Sequence, residues 1–190
     1  AVLPVTDVPL RTMVNTGAGE LAFQDYFVRR RCEPAVSGFR FDGAGKAGPS
    51  VPLAQLLEPG AIEGVVVCPS NPWLSVAPML AVARLRAFLE SKRVPVVAVS
   101  PIVAGSAVKG PAAKIMRELG IETSVLGVAR HYGALVDGWV IDTLDAALGP
   151  AIASGGCAVA FTNTLMDSPD KSRRVAAEVL SLVGRIGWTR

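Results

Sequence analysis

Val65-Val66-Val67-Cys68-Pro69-Ser70-Asn71-Pro72 and, after an interval of helix-forming composition, Val94-Pro95-Val96-Val97-Ala98-Val99-Ser100-Pro101 decide the fold. Each is a short apolar run that stops at a polar turn. Strands buried on both faces of a parallel sheet read as such unbroken runs, because neither face meets water. Residues 75–92 lie between them, with Leu85, Phe88 and Leu89 at helical spacing. The alternation continues: residues 110–119 and 124–136 read as helices, 138–141 as a third strand, 145–153 as a helix and 157–161 as a fourth strand. Residues 168–183 close as a helix, with Ser168 as N-cap, Pro169 at the first position and Val175, Val179 and Leu182 as its apolar stripe. Strands alternating with helices predict an α/β fold, a mostly parallel sheet with helices on both faces.

The rhythm breaks upstream of Gly64. Residues 11–16 and 37–42 read as strands, 21–31 as a helix carrying Phe23, Tyr26 and Phe27, and 43–52 as a loop. Residues 1–63 therefore read as an insertion or cap against the sheet, and 64–190 as the α/β core, within one domain. Gly17-Ala18-Gly19-Glu20-Leu21-Ala22 fits the G-x-G-x-x-A pattern, with Asp42 downstream. Asn15 and Thr16 precede it, however, where a dinucleotide loop needs a buried strand end, so the match is weak.

Composition narrows the function. The chain has 190 residues, is 51% hydrophobic and carries a net charge of +3. A core of good size is possible, and disorder is excluded. The basic residues are dispersed except for Arg29-Arg30-Arg31, which argues against a nucleic-acid partner. No apolar run approaches the roughly 18 residues of a membrane helix, and no signal peptide is visible. Cys32, Cys68 and Cys157 are three, scattered and without a CxxC, so neither a disulfide framework nor a zinc site is expected, and a cytoplasmic location is. The single histidine, His131, and the lack of G-x-S-x-G leave no sign of a serine-type triad.

Ligands of open parallel sheets sit beyond the carboxyl ends of the strands. Three such ends carry polar turns. In Pro69-Ser70-Asn71-Pro72, Ser70 or Asn71 can cap the next helix and the turn's amides can hold a phosphate, although an ordinary capped turn explains the same residues. The segment from Ser100, Pro101 and Ile102 to Lys109, Gly110 and Pro111 is long for a strand-to-helix connection, where about 2–6 residues is usual. A lysine beside a helix N-terminus opposes the helix dipole, and an anion between them removes the conflict; Lys114 lies one turn further on. The third end, Thr162-Asn163-Thr164, offers hydroxyls to a substrate, with Thr162 and Thr164 the weaker candidates. His131 would share a helix face with Ser124, Gly127 and Ala134, all small, so a ligand or a packed neighbour could approach the imidazole. Tyr26, Phe27 and Arg30 could present a flat ring surface beside a cation; core packing explains the aromatics equally well.

Taken in order, Val5-Thr6-Asp7, Phe23-Gln24-Asp25-Tyr26-Phe27-Val28-Arg29-Arg30-Arg31, Cys68-Pro69-Ser70-Asn71-Pro72, Val99-Ser100-Pro101-Ile102, Val108-Lys109-Gly110-Pro111-Ala112-Ala113-Lys114, Ala129-Arg130-His131-Tyr132-Gly133 and Thr162-Asn163-Thr164-Leu165-Met166 resemble the 2-phospho-L-lactate transferase family of deazaflavin coenzyme F-420 biosynthesis. The resemblance implies a Rossmann-like core and a magnesium-dependent transferase. That enzyme would move a phospholactyl or enolpyruvyl phosphate group from a guanosine diphosphate-activated donor to the deazaflavin precursor and release GMP, working as a homodimer. It implies nucleotide and phosphate contacts at Pro69, Ser70, Asn71, Pro72, Ser100, Pro101, Ile102, Lys109, Gly110 and Lys114. Deazaflavin contacts would fall at Tyr26, Phe27, Arg30, His131 and Tyr132. Members of the family begin with a strand and a Gly-rich loop that do not precede Ala1, and Ala18 and Asn163 stand where acidic residues are usual. The magnesium ligands are therefore expected upstream, and no catalytic base is assigned within the chain. The competing expectation is a non-catalytic nucleotide-sugar-binding regulator of the same fold.

Overall fold

The computed structural model describes residues 1–187; the last three residues of the expected 64–190 core lie outside that range. Two larger sheets and a two-stranded hairpin build the described residues. The first is an antiparallel meander of β1 (Arg11–Thr16), β2 (Gly19–Ala22) and β3 (Val36–Asp42), in the order β2-β1-β3. Val14 pairs with Leu21 on one side and Phe39 on the other. The expected helix over 21–31 is shortened here, since residues 21–22 end the strand β2 and helical structure covers only 23–29, widening to a π-type turn at Asp25–Arg29. Phe23 and Phe27 do stack, centroids 5.3 Å apart, but the turn ends in left-handed conformations at Arg31 and Cys32 (φ 48° and 60°). Gly17 and Ala18 are the hairpin tip between β1 and β2, where the Thr16 hydroxyl accepts from the Ala18 amide at 3.2 Å and donates to the Gly19 carbonyl at 2.8 Å. The glycine pattern thus serves a turn. Within the expected loop 43–52 a helix begins, α1 (Val51–Leu56), capped by the buried Ser50 hydroxyl.

The second sheet is the parallel one. β4 (Val65–Val67), β5 (Val96–Val99), β8 (Gly138–Asp142) and β9 (Ala158–Thr162) lie side by side in chain order, all parallel. Between β5 and β8 the chain makes a small hairpin of β6 (Ile102–Val103) and β7 (Ser106–Ala107), then α4 (Ala112–Glu118) and α5 (Val125–Tyr132). α5 starts on the Ser124 hydroxyl, which accepts from the Gly127 amide at 3.1 Å. Gly127 itself is obligatory, because a Cβ there would lie 2.0 Å from the Glu122 carbonyl oxygen. The single helix expected over 75–92 is broken. A wide turn at Pro72–Val76 runs into α2 (Ala77–Leu80), and α3 (Ala83–Glu90) leaves it at 93°. Val82, extended and fully buried, makes that corner; helix-forming composition does not encode it. The expected helix over 145–153 is a 3-10 turn (Thr143–Leu148) followed by α6 (Gly149–Ala153).

Helices cover both faces, as expected. On one face Val96, Ala98, Trp139 and Ile141 pack with Ile115, Met116, Val125 and Val128, and with Val14, Leu21 and Tyr26 of the antiparallel sheet. On the other, Val97, Val99, Val140 and Ala160 pack against Val175, Val179 and Leu182 of α7 (Pro169–Gly187). α7 runs past the expected end at 183. No single described helix is long and apolar enough to cross a membrane.

Candidate functional site

The parallel sheet sends the carboxyl ends of its strands to one rim. Pro69 and Asn71 follow β4, Ser100 and Pro101 follow β5, Val108 and Lys109 precede α4, and Thr164 and Met166 follow β9. All of them, with Ala112, line one cleft of about 200 Å³. The three polar turns picked out from sequence therefore converge.

Each turn is fixed by its own polar atoms. Asn71 Oδ1 accepts from the Trp73 and Leu74 amides, both at 3.0 Å, in an N-cap geometry. Its Nδ2 is buried without a partner among the described residues. Ser100, 2% exposed, closes a turn on itself: its hydroxyl accepts from the Ile102 amide at 3.1 Å and donates to the Ile102 carbonyl at 2.8 Å. Ile102 is fully buried and its backbone is engaged in that turn, so the nucleotide contact expected of it is corrected. At the end of β8 and just after it stand two buried carboxylates, Asp142 and Asp145, that the sequence reading missed. Asp142 Oδ2 accepts from the Thr164 amide at 2.7 Å and hydroxyl at 3.1 Å, and Oδ1 accepts from the Leu144 amide at 3.0 Å. Burial pushes the Asp142 carboxyl up, but the Leu144 and Thr164 amides and the Thr164 and Thr143 hydroxyls outweigh it and hold it below the ordinary aspartate range. Asp145 Oδ2 accepts from the Ala104 amide at 3.0 Å and so tethers the hairpin leading to Lys109. The missed signal was an acidic residue at the end of an apolar run.

The two lysines differ. Lys109 is exposed, lines the cleft and has no ion pair or hydrogen bond among the described residues. It is followed by Gly110 in a left-handed conformation (φ 72°). Lys114 is engaged instead: its Nζ lies 2.5 Å from Glu118 Oε1, donates to the Pro34 carbonyl at 2.9 Å and sits 6.0 Å from the centre of the Tyr26 ring. The phosphate contact expected of Lys114 is corrected to a structural joint. Gly110, Pro111 and Lys114 do flank Phe27, Arg31 and Cys32 in an adjoining shallow depression.

The expected ring wall is only partly presented. Tyr26 is fully buried, so its ring faces the core and not a ligand, and burial holds its hydroxyl proton well above the usual tyrosine range. Arg30 and Arg29 pair with Asp25 at 3.0 and 3.3 Å, which leaves Phe27 and Arg31 as the exposed aromatic and cation. His131 stacks on the buried Trp73 at 4.8 Å, and loss of water there lowers its pKa. Tyr132 packs on Trp139 at 5.9 Å, is 6% exposed and borders an apolar cavity beside β4. Ser70 borders that same cavity, Pro72 is buried at its turn, and Thr162 is 9% exposed. The structure therefore places Phe27 and Tyr132 around different hollows, and His131 lines neither.

Among the described residues, no group of three or more His, Cys, Asp or Glu is placed to hold a metal ion. Asp142 and Asp145 direct their oxygens to protein donors. The residues present do not by themselves fit a magnesium centre.

The sequence pattern of the family described as 2-phospho-L-lactate transferase CofD matches residues 1–154. A 2-phospho-L-lactate transferase from Methanosarcina mazei is 37% identical over 179 residues, which cover 94% of this chain and 58% of that protein. A namesake from Methanopyrus kandleri is 37% identical, covering 96% and 57%. A phosphoenolpyruvate transferase from Streptomyces griseus is 32% identical, covering 97% and 59%. The chain thus spans well under two thirds of the length of these relatives. Among solved structures, a Bacillus halodurans protein of the UPF0052 family superimposes with TM-scores of 0.60 and 0.56 in two crystal structures. The first covers 94% of this chain and 61% of its own at 12% identity, a likeness of fold.

Proposed function

The chain belongs to the 2-phospho-L-lactate transferase family, and from that membership we propose that it supplies the phosphate-holding rim of a transferase in coenzyme F-420 biosynthesis. The donor is a guanosine diphosphate-activated three-carbon acid, phospholactate or its enolpyruvyl counterpart. The acceptor is the terminal hydroxyl on the ribityl chain of the deazaflavin precursor. The acceptor oxygen bonds to the phosphorus that carries the acid, the phosphoanhydride bond breaks, GMP leaves with its electron pair, and the hydroxyl proton is released.

One observation carries this reading: a free cation and a buried, unpartnered amide donor share a cleft where three strand ends meet. Phosphoryl transfer rests on positioning and charge stabilisation more than on a nucleophilic side chain. Lys109 offsets charge on the diphosphate, and Asn71 Nδ2 donates to one of its oxygens. The Thr164 hydroxyl donates its hydrogen bond to Asp142, so toward a ligand it offers lone pairs, which suit an acceptor hydroxyl better than a phosphate oxygen. Phe27 and Arg31, which share a depression with Gly110 and Pro111, form the exposed wall for the deazaflavin. A cleft of about 200 Å³ holds a diphosphate but not a whole nucleotide and a tricyclic ring, so further contacts come from the additional length of the relatives. Magnesium, for which the described residues gather no ligand cluster, would be held by that same additional part; no step here runs through it.

Calorimetric titration with guanosine diphosphate tests the reading. Lys109→Ala is expected to weaken binding by about 1–3 kcal/mol, the range of a charge-assisted contact. Unchanged affinity removes Lys109 from the site. Binding of the deazaflavin precursor separates a transferase from a nucleotide-sugar-binding regulator, which has no use for that ring.

A further inference from the structure

We propose that Asp145 is a positioning residue of the cleft: through the β6–β7 hairpin it fixes where Lys109 stands, and so sets the affinity for a nucleoside diphosphate without touching it. The inference rests on the reading of the cleft as a diphosphate site.

β8 lies between β5 and β9 in the sheet, so the chain leaving it stands between the continuations of both neighbours. Asp142 holds Thr164, beyond β9. Asp145 holds the Ala104 amide, at the tip of the hairpin that continues β5. Neither aspartate lines the cleft, yet each fastens a segment that does: Thr164 on one side, Val108 and Lys109 on the other. Both walls are thus anchored to the end of a single strand.

Local structure does not call for a carboxylate at position 145. The 3-10 turn it sits in is already capped, because Asp142 Oδ1 takes the Leu144 amide. Asp145 is 6% exposed and has no ion pair among the described residues. Burying an ionised carboxylate is costly unless strong hydrogen bonds compensate, and this one is spent on an amide 41 residues away in the chain. That amide belongs to a strained residue. Ala104 and Gly105 form the two-residue loop between Val103 and Ser106, both left-handed (φ 48° and 72°). Glycine adopts that conformation freely and alanine does not, so Ala104 stays there only because its surroundings hold it. The charge-assisted bond from Asp145 is such a hold. At the other end of the hairpin the Ser100 hydroxyl pins Ile102. β7 pairs with β6 alone, and Val108 and Lys109 follow it directly. With tip and base both fastened, the exposed lysine is kept at the cleft; with the tip released, the segment that carries it loses its anchor.

The sign of the effect separates position from charge. Taking a buried negative charge away from beside an anion site by itself favours the anion, whereas losing the tether weakens the grip. Guanosine diphosphate is titrated calorimetrically into the 190-residue chain and into its Asp145→Ala, Asp145→Asn, Lys109→Ala and doubly substituted Asp145→Ala, Lys109→Ala variants. Asp145→Ala is expected to raise Kd about fivefold or more, and to add nothing once Lys109 is alanine, because the two act through one contact. Asp145→Asn, whose Oδ1 can accept the same bond, is expected to bind as tightly as the native chain or more so. Hydrogen exchange shows whether the hairpin alone has loosened: the Ala104 amide should exchange about tenfold faster in Asp145→Ala while Val96–Val99 keep their native rates. Native or tighter binding by Asp145→Ala, where Lys109→Ala does weaken it, overturns the inference and leaves the diphosphate reading standing. An equal loss in both backgrounds, or exchange quickened throughout β5, makes Asp145 a residue of general stability and overturns it as well. Lys109→Ala without effect overturns the diphosphate reading itself, and the inference with it.

Discussion

Lys109 and Lys114 sit on the same connection and do opposite things. The Lys114 ammonium is engaged: Glu118, the Pro34 carbonyl and the Tyr26 ring join the antiparallel sheet to the parallel one. Around Lys109 the groups are left over, an unpaired ammonium and the unpartnered Asn71 Nδ2. A cation paired with protein groups serves a joint that holds the protein together; an unpaired cation in a cleft at strand ends is available to hold something else. Sequence shows two lysines near a helix start and cannot tell them apart.

That contrast can be broken by substitution. The joint should fail first. Tyr26→Ala, which empties a fully buried ring site, is expected to cost about 3–5 kcal/mol of stability in denaturant unfolding; a loss under about 1 kcal/mol would mean the joint is dispensable. Asp142→Asn places a donor against the Thr164 donors and is expected to cost about 1–3 kcal/mol. Because the Asp142 pKa is lowered in the folded state, its stabilisation is complete above the unfolded aspartate value and fades as pH falls through the folded one, so the variant should flatten the acid limb of the stability curve. Lys114→Ala is expected to cost about 1 kcal/mol, and Lys109→Ala less than about 0.5 kcal/mol, in the same unfolding assay. Equal losses would erase the distinction between the two lysines. Smallest is the effect of His131. Its folded pKa lies below the unfolded value, so the unfolded chain takes up the proton first and stability falls as pH drops through that interval. His131→Gln should remove that part of the slope, as followed by melting between pH 7 and 5.

The parallel sheet was legible because burial on both faces leaves an uninterrupted apolar run, as at 96–99 and 138–142. The rim was legible because strand ends of a parallel sheet necessarily point one way. The β1–β2 hairpin was not, since Phe23, Tyr26 and Phe27 carry helical spacing for one turn only, and a two-residue tip looks like any glycine pair. Nor was the corner at Val82, which depends on what that side chain is buried against. Nor was the role of Lys114, because the Pro34 carbonyl and the Tyr26 ring are distant in sequence and reach it only in the folded molecule.

α7 covers β5, β8 and β9 on one side of the parallel sheet, and it follows every strand it covers. On the ribosome, Val97, Val99, Val140 and Ala160 are therefore made before the residues that shield them. The nascent sheet stays sticky until Val175 to Leu182 clear the exit tunnel, an interval of translation in which a holding chaperone has its natural substrate and a premature stop codon leaves an aggregating product.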